Sequence, residues 1–291
     1  MKMSRKIWLR TVAATAFSLT ALGSTWAQSN ELRVGLIPSE DAQAMIRAST
    51  EVMEQLAAKT GMRVKPFVAN DYNGVIEALR SGKLDIAYLG PFSYVLAHQI
   101  AGVDAFAVAV TKKTGRSAYQ SQVIARKDKG LTDLAHLKGR TFAFVDPSSA
   151  SGHLFPKAGL MAAGFDTDKN FSRVIFSGSH DASIMAVANN KVDAAAVADR
   201  IFDSAVKKGL VKREDFTVIW QSKPIPESPM VWRQSLDENT KQKVAAALAE
   251  IKDLPWGDQG LLDGFAPTND QAYDVVRQTA KALNLDLGKM K

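Results

Sequence analysis

The residues of this chain whose types and spacing best suit chemistry lie in the stretch 137–165. Three serines, Ser148, Ser149 and Ser151, stand close together there and are followed by Gly152. Serine hydroxyls donate hydrogen bonds, and residues at the start of a helix add backbone N–H groups at the positive end of the helix dipole. Because both kinds of donor suit a negatively charged oxygen, the stretch predicts an oxyanion cradle. The structural alternative is that the serines serve only as an N-cap, for which serine is a preferred residue.

The elements on either side of the serines would hold them in place. Residues 141–145 are β-branched and aromatic enough for a short buried strand, and Asp146 and Pro147 end it. Residues 154–163 have the apolar spacing of an amphipathic helix. The serines would therefore connect the carboxyl end of a strand to the start of a helix.

The rest of the chain alternates strands with helices. Further strands are predicted at residues 31–37, 62–68, 84–89, 119–125, 173–176, 192–196 and 216–220. Further helices are predicted at residues 42–60, 74–81, 94–99, 131–137, 182–189, 201–208, 239–251 and 269–283. Asp71 or Asn70 would cap the helix at 74–81. Such alternation predicts α/β lobes on parallel sheets, with ligand-facing loops at the carboxyl ends of the strands.

Two stretches without periodicity separate the chain into lobes. Residues 111–116 are polar, and residues 223–229 contain three prolines. We interpret them as two crossings between lobes. The predicted organisation is a first lobe made of residues 28–115 and 225–291, and a second lobe made of residues 116–224.

Residues 1–27 have the composition of a secretory signal peptide. Four basic residues precede the apolar run 12–22, and Thr25-Trp26-Ala27 forms a small-residue cleavage signal before Gln28. The apolar run is too short to span a membrane. The sequence therefore predicts export, and in this setting the periplasm.

Composition excludes several classes of function. Removal of the leader lowers the formal net charge from +7 to about +3, and no basic block with interleaved aromatic residues occurs, so nucleic acid is not an expected partner. The absence of cysteine rules out disulfides and thiolate chemistry. No metal-binding motif is found, so we expect neither a metal nor a cofactor.

Several motifs together resemble one known family, the periplasmic phosphonate-, phosphite- and phosphate-type binding proteins of ABC importers. The matching pieces span nearly all of the mature chain in order. They are Asp71-Tyr72, LDIAYLGPFSYV from Leu84, Tyr119, LKGRTFAFVDPSSASGHL from Leu137, Gly178-Ser179-His180, AVANNKVDAA from Ala186, and SKPIPESPMVWR from Ser222. The resemblance implies a two-lobed, type II clamshell that closes on a ligand and hands it to a permease and its ATPase-coupled complex. It also implies a monomer.

The resemblance also implies which residues bind the ligand. The anion site of the family falls on Tyr72, Tyr119, Ser149, Ser151 and His180. Its acidic site lies nearest Asp199, and Ser228 stands where relatives that take aminoalkyl phosphonates carry an acid. Ala150 replaces the middle hydroxyl of the usual Ser-Thr-Ser cradle, which removes one donor.

Each of these residues also has a structural interpretation. Buried tyrosines generally need a hydroxyl partner, and a lone histidine is more often a surface or capping residue. Asp199 could accept a proton from a P–OH group, hold a ligand ammonium, or cap the helix that follows it. Phosphite, methylphosphonate, aminoethylphosphonate and phosphate would all suit such a cradle.

Two other functions share some of these features. A sensor subunit that presents its ligand to a membrane histidine kinase would have the same fold and site. An exported serine hydrolase would use Ser149 or Ser151 as nucleophile and His180 with Asp181 as base and orienting acid, although the Gly-x-Ser-x-Gly turn is absent. We expect a binding protein rather than an enzyme.

Overall fold

Two sheets organise the computed structural model, which describes residues 30–112, 118–257 and 260–289. Strands of the first sheet are β1 (Glu31–Leu36), β2 (Arg63–Val68), β3 (Ile86–Tyr88), β4 (Val103–Thr111), β12 (Pro229–Arg233) and β13 (Leu262–Pro267). Their order is β13-β4-β12-β3-β1-β2. The predicted signal peptide at residues 1–27 lies outside the described residues.

The second sheet is formed by the middle of the chain. Its strands are β6 (Ser121–Arg126), β7 (Thr141–Phe144), β8 (Arg173–Phe176), β9 (Ala194–Ala198) and β10 (Phe216–Gln221). Their order is β10-β6-β9-β7-β8. A short antiparallel pair connects the two sheets: β5 (Ala118–Tyr119) follows the first predicted crossing, residues 111–116, and β11 (Ile225–Pro226) lies within the second, residues 223–229.

Helices follow most of the strands. They are α1 (Ala42–Thr60), α2 (Tyr72–Arg80), α3 (Pro91–Ala101), α4 (Phe155–Ala162), α5 (His180–Ala188), α6 (Asp199–Lys207), α7 (Glu238–Glu250) and α8 (Asp274–Ala282). Within the described residues, no helix has both the length and the apolar character needed to cross a bilayer.

Both sheets are mixed, so the prediction of parallel sheets is wrong in part. β1 runs parallel to β2 and β3, and β7 runs parallel to β8 and β9. In contrast, β12 is antiparallel to β3, and β6 is antiparallel to β9. β13 also runs against the parallel strands, because it is antiparallel to β4 and β4 has the direction of β3. β12 and β6 are each the first long strand after a crossing. Such a strand enters its sheet from the side that faces the other lobe, which is the carboxyl edge of the parallel strands, and therefore runs against them.

Side chains at the helix starts explain where several helices begin. Asp41 Oδ1 accepts the N–H of Ala44 at 2.8 Å, and α1 has the predicted bounds. Asp71 Oδ1 accepts the N–H of Gly74 at 2.7 Å, so Asp71 is the cap and α2 begins two residues earlier than predicted. An N-cap carboxylate in this position satisfies an N–H group that has no acceptor within the helix.

The prediction of a helix at residues 131–137 is wrong. Only a short 3₁₀ turn, Leu134–Leu137, forms there. Leu131, Leu134 and Leu137 are all buried, and their spacing of three residues matches the 3₁₀ period rather than the α period. The burial pattern therefore reflects a tighter turn than the one predicted.

Strand β9 shapes the centre of the second sheet. It consists of four alanines and Val197, all fully buried. Ala195, Val197 and Ala198 belong to the same buried cluster as Ala150 and Leu154 of the serine stretch. Small side chains let the serine stretch pack closely on the sheet, because little side-chain volume separates the two backbones.

Candidate functional site

A small enclosed cavity lies where loops of the first sheet meet loops of the second. The cavity volume open to the centre of a water molecule is only about 10 Å³. The residues that line it are Ile37, Ser39, Tyr72, Tyr88, Gly90, Tyr119, Ser149, Ala150, Ser151, His180, Arg200 and Ser228. The structure therefore brings together all of the predicted site residues except Asp199.

The serine stretch begins with a π-helical turn, Ala150–Leu154, rather than with a regular α-helix. Ser149 accepts at both ends of this turn: its Oγ takes the N–H of Gly152 at 3.0 Å, and its carbonyl takes the N–H of Leu154 at 3.0 Å. Helix α4 continues from Phe155. The predicted start of the helix at residue 154 thus marks the end of a wider turn, and such turns are frequent at functional sites.

Gly152 permits this turn to lie against the end of β7. A Cβ atom on Gly152 would stand 2.4 Å from both Cβ and Cγ2 of Val145, which is closer than real atoms approach. The N–H of Val145 also donates to the carbonyl of Gly152 at 3.0 Å. Strand and turn are therefore in direct backbone contact, which fixes the position of the serines.

The start of this turn offers backbone donors to the cavity. The first N–H groups of a helix have no acceptor within it. Ser149 Oγ accepts the N–H of Gly152. The two residues before Gly152, Ala150 and Ser151, line the cavity wall. Ser121 Oγ donates to the carbonyl of Ser151 at 2.6 Å and so ties the turn to β6. Ala150 lines the wall although it has no hydroxyl.

Two tyrosines from different parts of the chain complete the hydroxyl donors. Tyr72 begins α2 and is 1% exposed, and Tyr119 lies in β5, just after the first crossing, and is 6% exposed. Burial raises the pKa of both phenols, while the nearby hydroxyls of Ser149 and Ser151 act in the opposite direction. Because a raised pKa keeps the phenol protonated, each tyrosine is a hydroxyl donor at neutral pH.

His180 is a neutral donor. Its Nδ1 accepts the N–H of Ala198 at 3.0 Å. Burial, followed by the positive charge of Arg200, lowers the pKa of His180 to about 3. A neutral imidazole that accepts at Nδ1 carries its proton on Nε2. The residue therefore contributes an N–H group without a charge.

Arg200 lines the cavity but was not predicted from the sequence, which pointed to Asp199, one residue earlier. Its guanidinium carbon lies 4.7 Å from the ring centre of Tyr119, and its Nη2 donates to Ser228 Oγ at 3.3 Å. Its Nε lies 3.3 Å from Oε1 of Glu227, whose side chain is 5% exposed. The available signal was a basic residue in the first turn of a helix that follows a buried strand.

Asp199 is next to the cavity in sequence but is not among the residues that line it. Its Oδ1 accepts the N–H groups of Gln120 at 3.0 Å and Arg200 at 2.8 Å. Burial raises the pKa of Asp199, and these two hydrogen bonds oppose the rise. The contacts give Asp199 a local structural role, and its role in binding stays a prediction.

The first sheet supplies four further wall residues that the sequence analysis did not single out, namely Ile37, Ser39, Tyr88 and Gly90. Each lies at or just after the carboxyl end of β1 or β3. The rule that ligands bind at these strand ends would have identified them. Across the described part of the chain, no group of histidine, aspartate or glutamate residues could hold a metal ion.

Comparison with known proteins agrees with this architecture. The chain is 34% identical to the phosphonates-binding periplasmic protein of Escherichia coli K12, over 96% of this chain and 85% of that protein. It is 30% identical to the phosphate-import protein PhnD of Mycolicibacterium smegmatis, over 85% and 81% of the two chains. A solved structure from Pseudomonas aeruginosa, a binding protein component of an ABC phosphonate transporter, superposes with a TM-score of 0.78 at 29% identity, covering 86% of this chain and 85% of that one.

These comparisons confirm the predicted α/β, two-lobed fold of type II periplasmic binding proteins. The family described as "ABC transporter, phosphonate, periplasmic substrate-binding protein" matches residues 34–273. The match includes both sheets except the first three residues of β1, and all of the residues that line the cavity. The chain therefore belongs to the family of periplasmic phosphonate-binding proteins of ABC transporters.

Proposed function

We propose that this protein captures a small phosphorus oxyanion, such as methylphosphonate, aminoethylphosphonate or phosphite, in the cavity between its lobes and delivers it to an ABC permease. The observation that carries the proposal is the convergence of donors in a buried space. The residues that line it include serines and tyrosines with hydroxyl groups, His180 with its Nε2–H, the first residues of the cradle turn, and Arg200 with its guanidinium. Donors to a charged oxygen form stronger hydrogen bonds than donors to a neutral one.

Contacts between the lobes support a mechanism of closure around the ligand. The N–H of His180 donates to the carbonyl of Ser39 at 2.9 Å, and the N–H of Asp41 donates to Asp181 Oδ2 at 3.1 Å. Each bond joins the loop after β1 to the start of α5 on the other sheet. We propose that a ligand held by both lobes binds the closed form more tightly and so shifts the population towards it. The permease would then recognise the closed shape.

The proposed lobes are residues 28–115 with 225–291, and residues 116–224. Strands of the first sheet fall within the former and strands of the second sheet within the latter. The boundary at 115/116 falls in residues 113–117, which lie outside the described residues. We propose in addition that residues 1–27 direct export to the periplasm. Mass spectrometry of protein recovered from the periplasm should give a chain that starts at Gln28.

The arrangement of His180 differs from that of a catalytic triad. In a triad an acid accepts from Nδ1–H of the histidine and orients it. Here Nδ1 of His180 accepts from Ala198, and the carboxylate of Asp181 accepts from the backbone of Asp41. The relatives from Escherichia coli and Pseudomonas aeruginosa are also named as binding proteins. We therefore propose capture without turnover.

Calorimetric titration of the mature, ligand-free protein tests the binding function. The panel is phosphite, methylphosphonate, aminoethylphosphonate and phosphate at pH 6 and pH 8. We expect one site per chain and loss of affinity in Ser149→Ala and Ser151→Ala. Ser148→Ala is the matched control, because Ser148 directly precedes Ser149 in the serine stretch but is not in the cavity wall. Absence of binding by a folded protein across the panel would refute the proposal.

Delivery to a permease requires a separate test. Deletion of the gene should abolish uptake of the ligand identified by calorimetry. Normal uptake, with loss of a ligand-dependent transcriptional response, would instead support the sensor function.

A further inference from the structure

The charged residue in the cavity wall is a cation, and none of the described residues that line the wall is acidic. Arg200 is held there from three directions, by the ring of Tyr119, by Ser228 Oγ and by Glu227. Its side chain is 17% exposed. Burial among three partners fixes the guanidinium, whose planar array of N–H groups matches the oxygens of a phosphonate or phosphate.

We propose that Arg200 makes this cavity selective for small oxyanions in their doubly ionised form that carry no cationic group. This inference rests on the proposed function and specifies its ligand. It assigns to Arg200 the role of compensating the second negative charge. It also predicts that a protonated ligand or an ammonium-bearing ligand binds more weakly.

The inventory of donors and acceptors favours the doubly ionised form. A singly ionised phosphonate has a P–OH group that must donate to an acceptor, whereas the doubly ionised form only accepts. Neither Asp199 nor Glu227 lines the wall, and each already accepts backbone N–H groups: Asp199 Oδ1 from Gln120 and Arg200, and Glu227 Oε1 from Ser228 at 3.1 Å. The His180 imidazole presents Nε2–H, which is a donor. Among the described residues that line the wall, no carboxylate is therefore available to accept a P–OH proton.

The same contacts oppose an ammonium group. Ser228, which lines this end of the cavity, is neutral, and Glu227, its neighbour, is paired with Arg200. An ammonium at this end of the cavity would face the like charge of the guanidinium. Like charges in a poorly solvated space repel strongly because little solvent screens them.

The first experiment separates titration of the ligand from titration of the protein. Affinities for methylphosphonate and phosphite are measured by calorimetry from pH 5.5 to 9. If only the doubly ionised form binds, affinity falls about tenfold for each pH unit below the second pKa of the ligand, and the bend in the curve follows that pKa from one ligand to the other. A bend at the same pH for both ligands would instead come from a protein group such as Asp146, Asp199, Glu227 or His180, and would overturn the inference.

The second experiment tests Arg200 directly. Arg200→Met should weaken methylphosphonate binding at pH 8.5 by about 10-fold or more, as expected for loss of a charge-assisted hydrogen bond. Arg213→Gln is the matched control, because Arg213 also lies over an aromatic ring, that of Phe202, but is half exposed and outside the cavity. The double variant R200M/E227Q removes both charges of the buried pair and guards against misfolding caused by loss of one charge alone.

The third experiment compares two ligands of equal size. Ethylphosphonate ends in a methyl group, and aminomethylphosphonate has an ammonium group in its place. Both phosphonates are mainly doubly ionised at pH 8.5. We expect the wild-type protein to prefer ethylphosphonate by about 10-fold or more, and R200M/E227Q to reduce that preference. Equal or tighter binding of aminomethylphosphonate by the wild type would overturn the inference and leave oxyanion capture intact. Failure of every oxyanion to bind would instead refute the proposed function.

Discussion

Substitution of Gly152 by alanine tests whether the cradle depends on its close approach to β7. The added Cβ would stand 2.4 Å from Cβ and Cγ2 of Val145 and 2.8 Å from Ser149 Oγ. Val145 can turn its Cγ2 away, but its Cβ is fixed to the backbone. The backbone of the turn must therefore move, and overpacking of this kind costs about 1–3 kcal/mol. The better helix propensity of alanine returns at most about 1 kcal/mol.

The net effect should be measurable in both stability and binding. For a chain of this size each kcal/mol lowers Tm by about 2–4 °C. Because Ser149 Oγ is one of the contacted atoms, the turn should move together with its donors, and affinity for methylphosphonate should fall. Differential scanning calorimetry gives the Tm, and titration of the same sample gives the affinity.

A second glycine provides the control for this substitution. Gly288→Ala adds the same methyl where the nearest atom is 3.5 Å away, an ordinary contact. It should leave Tm and affinity unchanged. If Gly152→Ala has the Tm and affinity of the wild type, the turn is not held by its contact with Val145 and the reasoning about the cradle fails.

Three further predictions concern groups around the cavity. Asp199→Asn should leave the affinity for methylphosphonate at pH 8.5 unchanged in calorimetry, because Asp199 does not line the cavity and a doubly ionised ligand has no proton to donate. Binding weaker by about 2 kcal/mol or more would mean that the carboxylate accepts a proton or ammonium from the ligand. Lys208 Nζ lies 3.2 Å from Glu40 Oε2 across the lobes, so Lys208→Met should speed ligand release in stopped-flow measurements. Because Lys208 is 46% exposed, the effect should stay within about 1 kcal/mol and shrink in high salt. Burial lowers the pKa of His180 to about 3 and that of His153 to about 4, so both imidazoles are neutral in the folded protein at neutral pH. Unfolded histidine has a pKa near about 6.5, so their contribution is complete above that pH and is lost as pH falls towards about 4 and 3. Tm should therefore decrease below pH 6, and His153→Gln should make that decrease smaller.

The cradle could be predicted from the sequence because its signal is local. A strand, three serines and a helix follow one another within thirty residues, and each part has its own pattern. Tyr72, Tyr119, His180 and Ser228 lie far apart in sequence, and only the resemblance to a family placed them together. Composition and periodicity alone would have left them as separate, ordinary residues.

The choice between Asp199 and Arg200 could not be made from sequence. Successive residues of a helix point about 100° apart. Which of the two side chains faces the cavity therefore depends on how α6 packs. In the structure Arg200 faces the cavity and contacts Tyr119 of β5 and Ser228 of the second crossing. A single step along the helix exchanges a carboxylate for a guanidinium in the wall.

The residues of the cavity wall keep one protonation state over a wide pH range. The pKa of His180 lies near 3, and burial raises those of Tyr72 and Tyr119 above the usual value of a phenol. The donors formed by these three side chains therefore keep the same protonation state from about pH 5 to about pH 9. Arg200 is charged throughout that range. Because the wall does not change its donors, the ionisation state of the ligand itself should control how binding varies with pH, which is why two ligands with different second pKa values form the sharpest test of the site.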